Sequence, residues 1–202
     1  MARSDNWYDG WIYEKFIAKH VDGYADTILS LIDENSGVLD VGCGTGHMSM
    51  LLSHKCRSVT GIDLSPKNIK IAQSKVGTES SHVSFVAGDL ARYAESATQK
   101  FDYAIFSFVI HEVPLDYRNE LINAAKKLAD KIIFADYPSP MPSGISGWFN
   151  TLVEFAAGKE HYAGFKSYIS NGGLKFIIDT AGLKIRKEIK DNKSINHIVL
   201  AS

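Results

Sequence analysis

The chain has 202 residues, 45% of them hydrophobic and 22% charged, and its 22 Lys and Arg against 23 Asp and Glu leave a formal net charge of -1. This length and apolar content are enough for one domain with a large core, and they exclude an intrinsically disordered or collagen-like chain. The balanced charge gives no overall attraction to nucleic acid or anionic lipid, and two cysteines, Cys43 and Cys56, are too few for a disulfide scaffold.

Apolar residues occur in short runs, and none of these is long enough to span a bilayer. The N-terminal residues MARSDNWYDGW lack the apolar core of a signal peptide. We therefore expect a single domain over residues 1–202, cytoplasmic and either monomeric or homodimeric, with no membrane and no nucleic acid among its partners.

Short apolar runs alternate with helical patterns, as is typical of α/β proteins. The runs predict seven strands, at residues 37–41, 58–63, 83–87, 103–109, 131–137, 183–189 and 195–201. Residues Leu174, Ile177, Ile178 and Ala181 show the helical repeat, and Gly182 is placed to end that helix. The last two strands, joined by residues 190–194, predict an antiparallel hairpin at the end of the sheet.

Two aromatic-rich segments fall outside this alternation. Residues 1–35 have a mostly helical pattern and predict an N-terminal cap. Residues 138–165 begin with Pro138, Pro140 and Pro142 and continue as an apolar, helix-like stretch, which predicts a helical lid inserted after the fifth strand. Ligands of open α/β sheets bind at the strand ends, so both segments are candidates to cover a site, although ordinary core packing is the alternative. Candidate substrate-pocket residues are Trp11, Trp148, Glu154, His161 and Tyr162.

A glycine-rich loop follows the first predicted strand. Residues 38–48 read VLDVGCGTGHM, in which Gly42 and Gly44 allow a tight turn with close backbone approach to a ligand, and Gly46 lets the next helix pack on the strand. Asp63 ends the second strand 21 residues after Gly42, where an acid is placed to accept both hydroxyls of a ribose.

A dinucleotide and S-adenosylmethionine (SAM) both fit a glycine loop followed by an acid. The dinucleotide fingerprint is G-x-G-x-x-G, whereas this loop is G-x-G-x-G, with Asp40 two residues before its first glycine. A carboxylate there would repel a pyrophosphate and pair with the ammonium of a methionine moiety. The loop therefore favours SAM.

These residues resemble the class I (Rossmann-like) SAM-dependent methyltransferases. VLDVGCGTG and GIDLS are similar to the family's first motif and second-strand acid, AGDL at residues 87–90 to its third-strand end, and FDYAIFSF at 101–108 to its fourth strand. The resemblance covers residues 36–137 and implies a three-layer sandwich whose seven-stranded, mostly parallel sheet has the order 3-2-1-4-5-7-6, with an antiparallel last strand. It also implies that Asp89 bonds the adenine amino group. The implied cofactor-binding residues are Asp40, Gly42, Cys43, Gly44, Gly46, Asp63, Leu64, Asp89, Leu90 and Ser107.

The acceptor side is expected after the fourth strand, in the run Ser107–Pro114. His111 is a candidate general base and Glu112 a candidate to orient it or bind a cationic acceptor, while packing at the strand end and solvent exposure are the alternatives. Cys43 has no base partner in the sequence, which favours a packing role over a nucleophilic one. No metal is expected, because metal-ligand spacings are missing.

The run around His111 resembles the small-molecule branch of the family, including the quinone-biosynthesis C-methyltransferase-like (methyltransferase type 11) group. It implies an enzyme that transfers a methyl group from SAM to a small molecule and releases S-adenosylhomocysteine (SAH). Methylation of RNA or protein is the second hypothesis, which the neutral charge and the missing [DNS]-P-P-[YF] motif disfavour. A SAM-binding, non-catalytic partner subunit is the third.

Overall fold

The computed structural model describes residues 11–142, 159–190 and 196–202, with side chains from residue 21 in the first range and from residue 162 in the second. The strands are β1 (Gly37–Val41), β2 (Ser58–Asp63), β3 (Val83–Ala87), β4 (Phe101–Ser107), β5 (Ala129–Asp136), β6 (Ile185–Lys190) and β7 (His197–Ala201). The helices are α1 (Trp11–Leu31), α2 (His47–Leu52), α3 (Pro66–Ser74), α4 (Leu90–Ser96), α5 (Leu115–Leu128), α6 (Lys159–Ser170) and α7 (Gly173–Thr180).

The seven strands form one sheet in the order β3-β2-β1-β4-β5-β7-β6, which confirms the predicted fold. The five strands β1–β5 are parallel, whereas β7 is antiparallel to both β5 and β6. The chain winds outward in opposite directions from β1 and β4, so the carboxyl ends of these two strands flank the crevice where open α/β sheets bind ligands.

Both faces of the sheet are buried at its central strands β1, β4 and β5, which explains why these strands are nearly continuous apolar runs, whereas the edge strand β6 is largely exposed. On β5, Ile132 and Phe134 belong to the core beneath α5 and α7, whereas Ile133 and Ala135 belong to the core beneath α1 and α2. The protein therefore has three layers, helix, sheet and helix.

The fourth and fifth strands begin and end earlier than predicted. We expected β4 at 103–109, but the strand stops at Ser107 because Phe108 adopts a left-handed backbone with φ of 55°. In the register between β4 and β5, Phe101 pairs with Ala129. Each of these two strands therefore begins two residues before its predicted first residue. The loop after β4 therefore begins at Phe108, closer to the crevice than the sequence indicated.

Each extra segment contributes one described helix. The predicted N-terminal cap contains α1, and the predicted insertion contains the start of α6, which continues to Ser170, beyond the expected boundary at 165. Whether these segments act as a cap and a lid stays a prediction. No helix within the described ranges is both long and apolar enough to cross a membrane.

Candidate active site

The three glycines of the loop after β1 all adopt left-handed backbones, with φ of 69° at Gly42, 54° at Gly44 and 80° at Gly46. Only glycine takes this conformation without steric cost. A Cβ at Gly42 would lie 2.5 Å from Cγ2 of Val109, and one at Gly46 would lie 2.6 Å from the ring of Phe85. Two of the glycines are thus also required by packing, and the predicted role of Gly46 in packing α2 against β1 stays a prediction, because the group next to it is Phe85 of β3.

Gly44 differs from its neighbours because a Cβ built on it meets no atom of the described residues within 4 Å. The backbone therefore borders open space at the carboxyl end of β1. The sequence predicts that loop N–H groups approach a ligand there, and this stays a prediction, but four of these groups donate within the protein. Those of Gly42 and Cys43 donate to Ile62 O, that of Gly46 donates to Cys43 O, and that of Gly44 donates to Asp63.

Asp63 lies at the end of β2 and is held by two backbone donors. Gly44 N donates to its Oδ2 at 3.0 Å, and Ser65 N donates to its Oδ1 at 2.8 Å. Each carboxylate oxygen has a further lone pair, so the fixed carboxylate can accept additional hydrogen bonds from a ligand at the loop. Leu64, the next residue, exposes 59% of its surface beside this carboxylate.

Asp40 is buried beneath the loop, with 1% of its surface exposed. Its Oδ2 accepts a hydrogen bond of 2.5 Å from Ser49 Oγ on α2. Burial raises the pKa of Asp40 to about 6, the hydrogen bonds from Ser49 oppose this rise, and the charge of Asp63 adds to it. The carboxylate therefore titrates near neutral pH, and a cation beside it would favour its ionised form.

Cys43 and Leu90 direct their side chains into the protein. The thiol of Cys43 is buried close to Gly61 of β2, and burial raises its pKa far above the ordinary value, which excludes a reactive thiolate at neutral pH. Leu90 is 3% exposed and belongs to the core. Any cofactor contact from these two residues would involve their backbone, and that contact stays a prediction.

Asp89 lies between β3 and α4 and caps the helix through Arg92 N, which donates to its Oδ1 at 3.0 Å. Its Oδ2 accepts a second hydrogen bond from the hydroxyl of Tyr117, in the first turn of α5. Sequence reasoning did not identify Tyr117, because nothing in its local pattern indicates a partner 28 residues away.

Ser107 ends β4 and forms a hydrogen bond of 2.7 Å with the hydroxyl of Tyr24 on α1. Tyr24 is 2% exposed, and its ring lies 5.3 Å from that of Phe108. Helix α1 therefore reaches the carboxyl end of β4, where the sequence analysis predicts a segment that covers the ligand site. Tyr24 lies within the aromatic-rich segment 1–35, but its contact with Ser107 depends on the tertiary structure.

His111 is enclosed in the loop after β4, with 2% of its surface exposed. Its Nδ1 lies 2.7 Å from Oδ1 of Asp136, at the end of β5, and its Nε2 lies 3.8 Å from Oε1 of Glu112. Because a carboxylate accepts, Nδ1 carries the proton and Nε2 is the basic nitrogen. The rings of Phe108, Tyr137, Phe165 and Tyr168 surround this imidazole at centroid distances of 4.9 to 6.3 Å.

The base role of His111 and the role of Glu112 stay predictions, since so buried an imidazole contacts an acceptor only when its surroundings move. Asp136 is a functional candidate that sequence reasoning missed. The available signal was a carboxylate at the end of a buried strand, the same signal that identified Asp63.

Arg118, on α5, connects this loop to α6. Its Nε donates to Ile110 O and Val113 O at 3.1 and 2.8 Å, and its Nη2 donates to Gly164 O at 2.9 Å. The side chain is 2% exposed, and burial lowers its pKa, although a guanidinium remains charged at neutral pH. Arg118 thus fixes the backbone on either side of His111.

The predicted substrate-pocket residues are only partly covered by the structure. Tyr162 is half-buried on α6 and packs against the core that contains Phe165. Trp148 and Glu154 lie outside the described residues, as do the side chains of Trp11 and His161. Over the described ranges, no three His, Cys, Asp or Glu side chains cluster closely enough to hold a metal ion.

Comparison with known proteins matches residues 38–131 to the family described as a methyltransferase domain. An uncharacterized methyltransferase of Anoxybacillus flavithermus is 30% identical over 142 residues, which make up 65% of this chain and 64% of that protein. Magnesium-protoporphyrin O-methyltransferase of Rhodobacter capsulatus is 34% identical over 104 residues, or 50% of this chain and 45% of that protein. The chain thus spans less than two thirds of the length of each relative.

Among solved structures, the magnesium protoporphyrin IX methyltransferase of Synechocystis, with bound SAH, superimposes with a TM-score of 0.56 at 21% identity. The alignment covers 91% of this chain and 81% of that one. This likeness shows that the two chains share a fold.

Proposed function

We propose that this chain, whose residues 38–131 belong to the methyltransferase-domain family, is a SAM-dependent methyltransferase that acts on a small-molecule acceptor. The position of Asp63 carries the proposal. Its carboxylate accepts the N–H of Gly44, so the loop presents an anion where a dinucleotide site presents free N–H groups to pyrophosphate. The N–H groups of Gly42, Cys43 and Gly46 also donate within the protein, which leaves fewer donors for a pyrophosphate, while the carboxylate can accept ribose hydroxyls, so the loop suits a nucleoside that carries no phosphate.

The residues around the loop fit such a nucleoside. The open space at Gly44 admits a ligand that a side chain would displace. Asp63 would accept the ribose hydroxyls, exposed Leu64 would pack on the purine, and Asp89 would accept its amino group. Asp40 would pair with the ammonium of the methionine moiety, which favours the ionised form of this buried carboxylate.

SAM supplies a methyl group already activated by its positive sulfur, so the protein needs to provide alignment, exclusion of water and, for some acceptors, a base. Ser107 and Tyr24 position α1 over the end of β4, next to the glycine loop. His111 would take the acceptor proton at Nε2, while Asp136 and Glu112 would favour the imidazolium that forms. Arg118 would keep the loop in place through its carbonyl contacts.

A small-molecule acceptor is supported by the surroundings of this loop. The rings of Phe108, Tyr137 and Phe165 pack on one another and make the surroundings of His111 apolar, and the chain has no excess of positive charge for RNA. The relative from Rhodobacter is named as an O-methyltransferase of magnesium-protoporphyrin, a planar small molecule.

Calorimetry with SAM, SAH and NADH tests the cofactor assignment. We expect SAM and SAH to bind and NADH to bind far more weakly. Asp63→Ala should weaken SAM binding at least about tenfold, because charge-assisted hydrogen bonds contribute roughly 1.5–3 kcal/mol each. Asp130→Ala, which removes an exposed carboxylate near the opposite end of the sheet, is the matched control and should bind SAM like the wild type. SAM affinity that stays within twofold in Asp63→Ala would contradict the assignment.

Incubation with methyl-labelled SAM and a metabolite extract tests the acceptor class. We expect a small molecule to gain the mass of one methyl group. Label found only in RNA or protein would replace the acceptor proposal, and SAM binding without transfer to any fraction would indicate a non-catalytic subunit.

A further inference from the structure

Tyr117 and Asp89 lie at the starts of two different helices and meet at the carboxyl end of the sheet. Asp89 immediately precedes α4, and Tyr117 lies in the first turn of α5. The hydroxyl of Tyr117 donates to Oδ2 of Asp89, while Arg92 N donates to Oδ1 at 3.0 Å. The terminal torsion of an aspartate is otherwise broad, so a donor on each oxygen fixes the plane of the carboxylate.

The same contacts keep Asp89 ionised. Burial by itself raises the pKa of Asp89, but the hydrogen bonds from Tyr117 and the backbone of α4, together with the charge of Arg92, bring it below its ordinary value. An ionised carboxylate only accepts hydrogen bonds. It therefore attracts the 6-amino group of adenine and repels the 6-oxo group of hypoxanthine.

We infer that Tyr117 is a positioning residue of the cofactor site, which holds the Asp89 carboxylate in the orientation that distinguishes a 6-aminopurine from a 6-oxopurine. The inference rests on the proposed function, since Asp89 meets a purine only if the nucleoside lies along the ends of β2 and β3. Without the hydroxyl of Tyr117, Asp89 keeps its cap on α4, but its Oδ2 is free to turn towards water.

Tyr93 provides a matched control for the loss of one hydroxyl in the same pair of helices. It lies on α4, is half-buried against the same core, and burial raises its pKa. Its hydroxyl has no hydrogen-bond partner in the part of the chain that the structure describes. Replacing it with phenylalanine therefore leaves both donors on Asp89 unchanged.

The test is calorimetric titration of SAH and its 6-oxo analogue, S-inosylhomocysteine, into the wild type, Tyr117→Phe, Tyr93→Phe and Asp89→Asn. We expect the wild type to prefer SAH at least about tenfold. Tyr117→Phe should lower this preference about fivefold or more, mainly through weaker SAH binding. Tyr93→Phe should match the wild type, and Asp89→Asn should lose the preference, because an amide can donate to a 6-oxo group.

Thermal unfolding of each free variant separates a change in nucleoside preference from a general loss of stability. A general loss of stability would weaken the binding of both nucleosides alike. The inference is overturned by an unchanged preference in Tyr117→Phe, by an equal loss in Tyr93→Phe, or by a wild type that binds both nucleosides equally. A wild type that binds neither nucleoside would refute the proposed function itself, a result distinct from these three.

Discussion

At the scale of single residues, the acids of the site each combine a local structural role with a possible ligand contact. Asp63 accepts the N–H of Ser65 two residues on, Asp89 caps α4, and Asp40 accepts the hydroxyl of Ser49. Such bonds are the ordinary use of aspartate at strand ends and helix starts. A carboxylate has more than two lone pairs, however, so these local bonds orient the acids and leave them able to bind a ligand.

We expect the buried carboxylate of Asp40 to make SAM binding dependent on pH. Its pKa of about 6 means that it is largely ionised above pH 6, and only the ionised form pairs with an ammonium. We expect SAM affinity, measured by calorimetry from pH 5 to 8, to rise as the pH passes through about 6. Asp40→Asn should bind SAM weakly and lose this rise.

Ser49→Ala is the matched variant for this prediction. It removes a donor that favours the ionised form of Asp40, so the rise in SAM affinity should move to higher pH.

The free energy of unfolding depends on the ionisation of Asp40 in the opposite direction, since it falls as the pH rises. A pKa raised above the unfolded value of 3.8 contributes stability below pH 3.8, and that contribution is lost as the pH rises through about 6. An unaltered pH profile of binding in Asp40→Asn would refute the role of this residue.

At the scale of elements, the loop after β4 is held between two helices from the extra segments of the chain. Tyr24 connects α1 to Ser107, and Arg118 connects α5 to both the loop and Gly164 of α6. Helix α6 approaches closely at Gly164, where a Cβ would lie 2.8 Å from Glu112 O and 2.9 Å from His111 O. Backbone carbonyls cannot rotate away, so only glycine allows this approach.

Gly164→Ala should therefore separate α6 from the loop. We expect a loss of about 1–2 kcal/mol in the free energy of unfolding after the gain in helix propensity is included, measured by urea denaturation. Methyl transfer should fall more than SAH affinity, because the displaced backbone carries His111 and Glu112 rather than the glycine loop.

Gly23→Ala on α1 is the control for the propensity term. Among the residues that the structure describes, none lies within 4 Å of a Cβ at Gly23, so this exposed helix position should gain roughly 0.5–1 kcal/mol. A Gly164→Ala variant as stable as Gly23→Ala would show that α6 does not depend on this close contact.

At the scale of the whole molecule, the proposed cofactor site joins parts of the chain that are far apart in sequence. The site lies at the carboxyl end of the sheet. It is formed there by the loop after β1, the ends of β2 and β3 and the start of α5. A ligand that bridges these elements binds only the folded protein and therefore raises the temperature of unfolding.

SAH at about 100 times its Kd should stabilise the fold by about 2.7 kcal/mol. For a chain of this size, this corresponds to a rise of roughly 5–10 °C in Tm, measured by calorimetric or fluorescence melting. Gly44→Val should melt at a lower temperature than the wild type, because a β-branched residue at a φ of 54° is strained, and SAH should not raise its Tm. A full SAH-dependent rise in Gly44→Val would mean that the ligand does not lie against the loop.

The sequence by itself determined the glycine loop, the acids at the strand ends and the seven strands to within two residues, although the last two strands begin two residues later than predicted, at Ile185 and His197. Strands β1, β2 and β3 have the predicted bounds, because β1 and the middle of β2 are buried on both faces and β3 alternates buried and more exposed residues between polar turns. Gly42 and Gly46 were recognisable because their backbone conformation excludes other residues. These are local properties, carried by neighbouring residues in the chain.

Only the tertiary structure decided where β4 ends and which side chains meet at the site. The left-handed turn at Phe108 has no sequence signal, since such a backbone is unfavourable for phenylalanine and is held by its surroundings. The contacts of Tyr24 with Ser107, Tyr117 with Asp89 and His111 with Asp136 join residues 83, 28 and 25 positions apart. Local periodicity reports which face of an element is buried but not which side chain lies opposite, because that depends on how the layers pack.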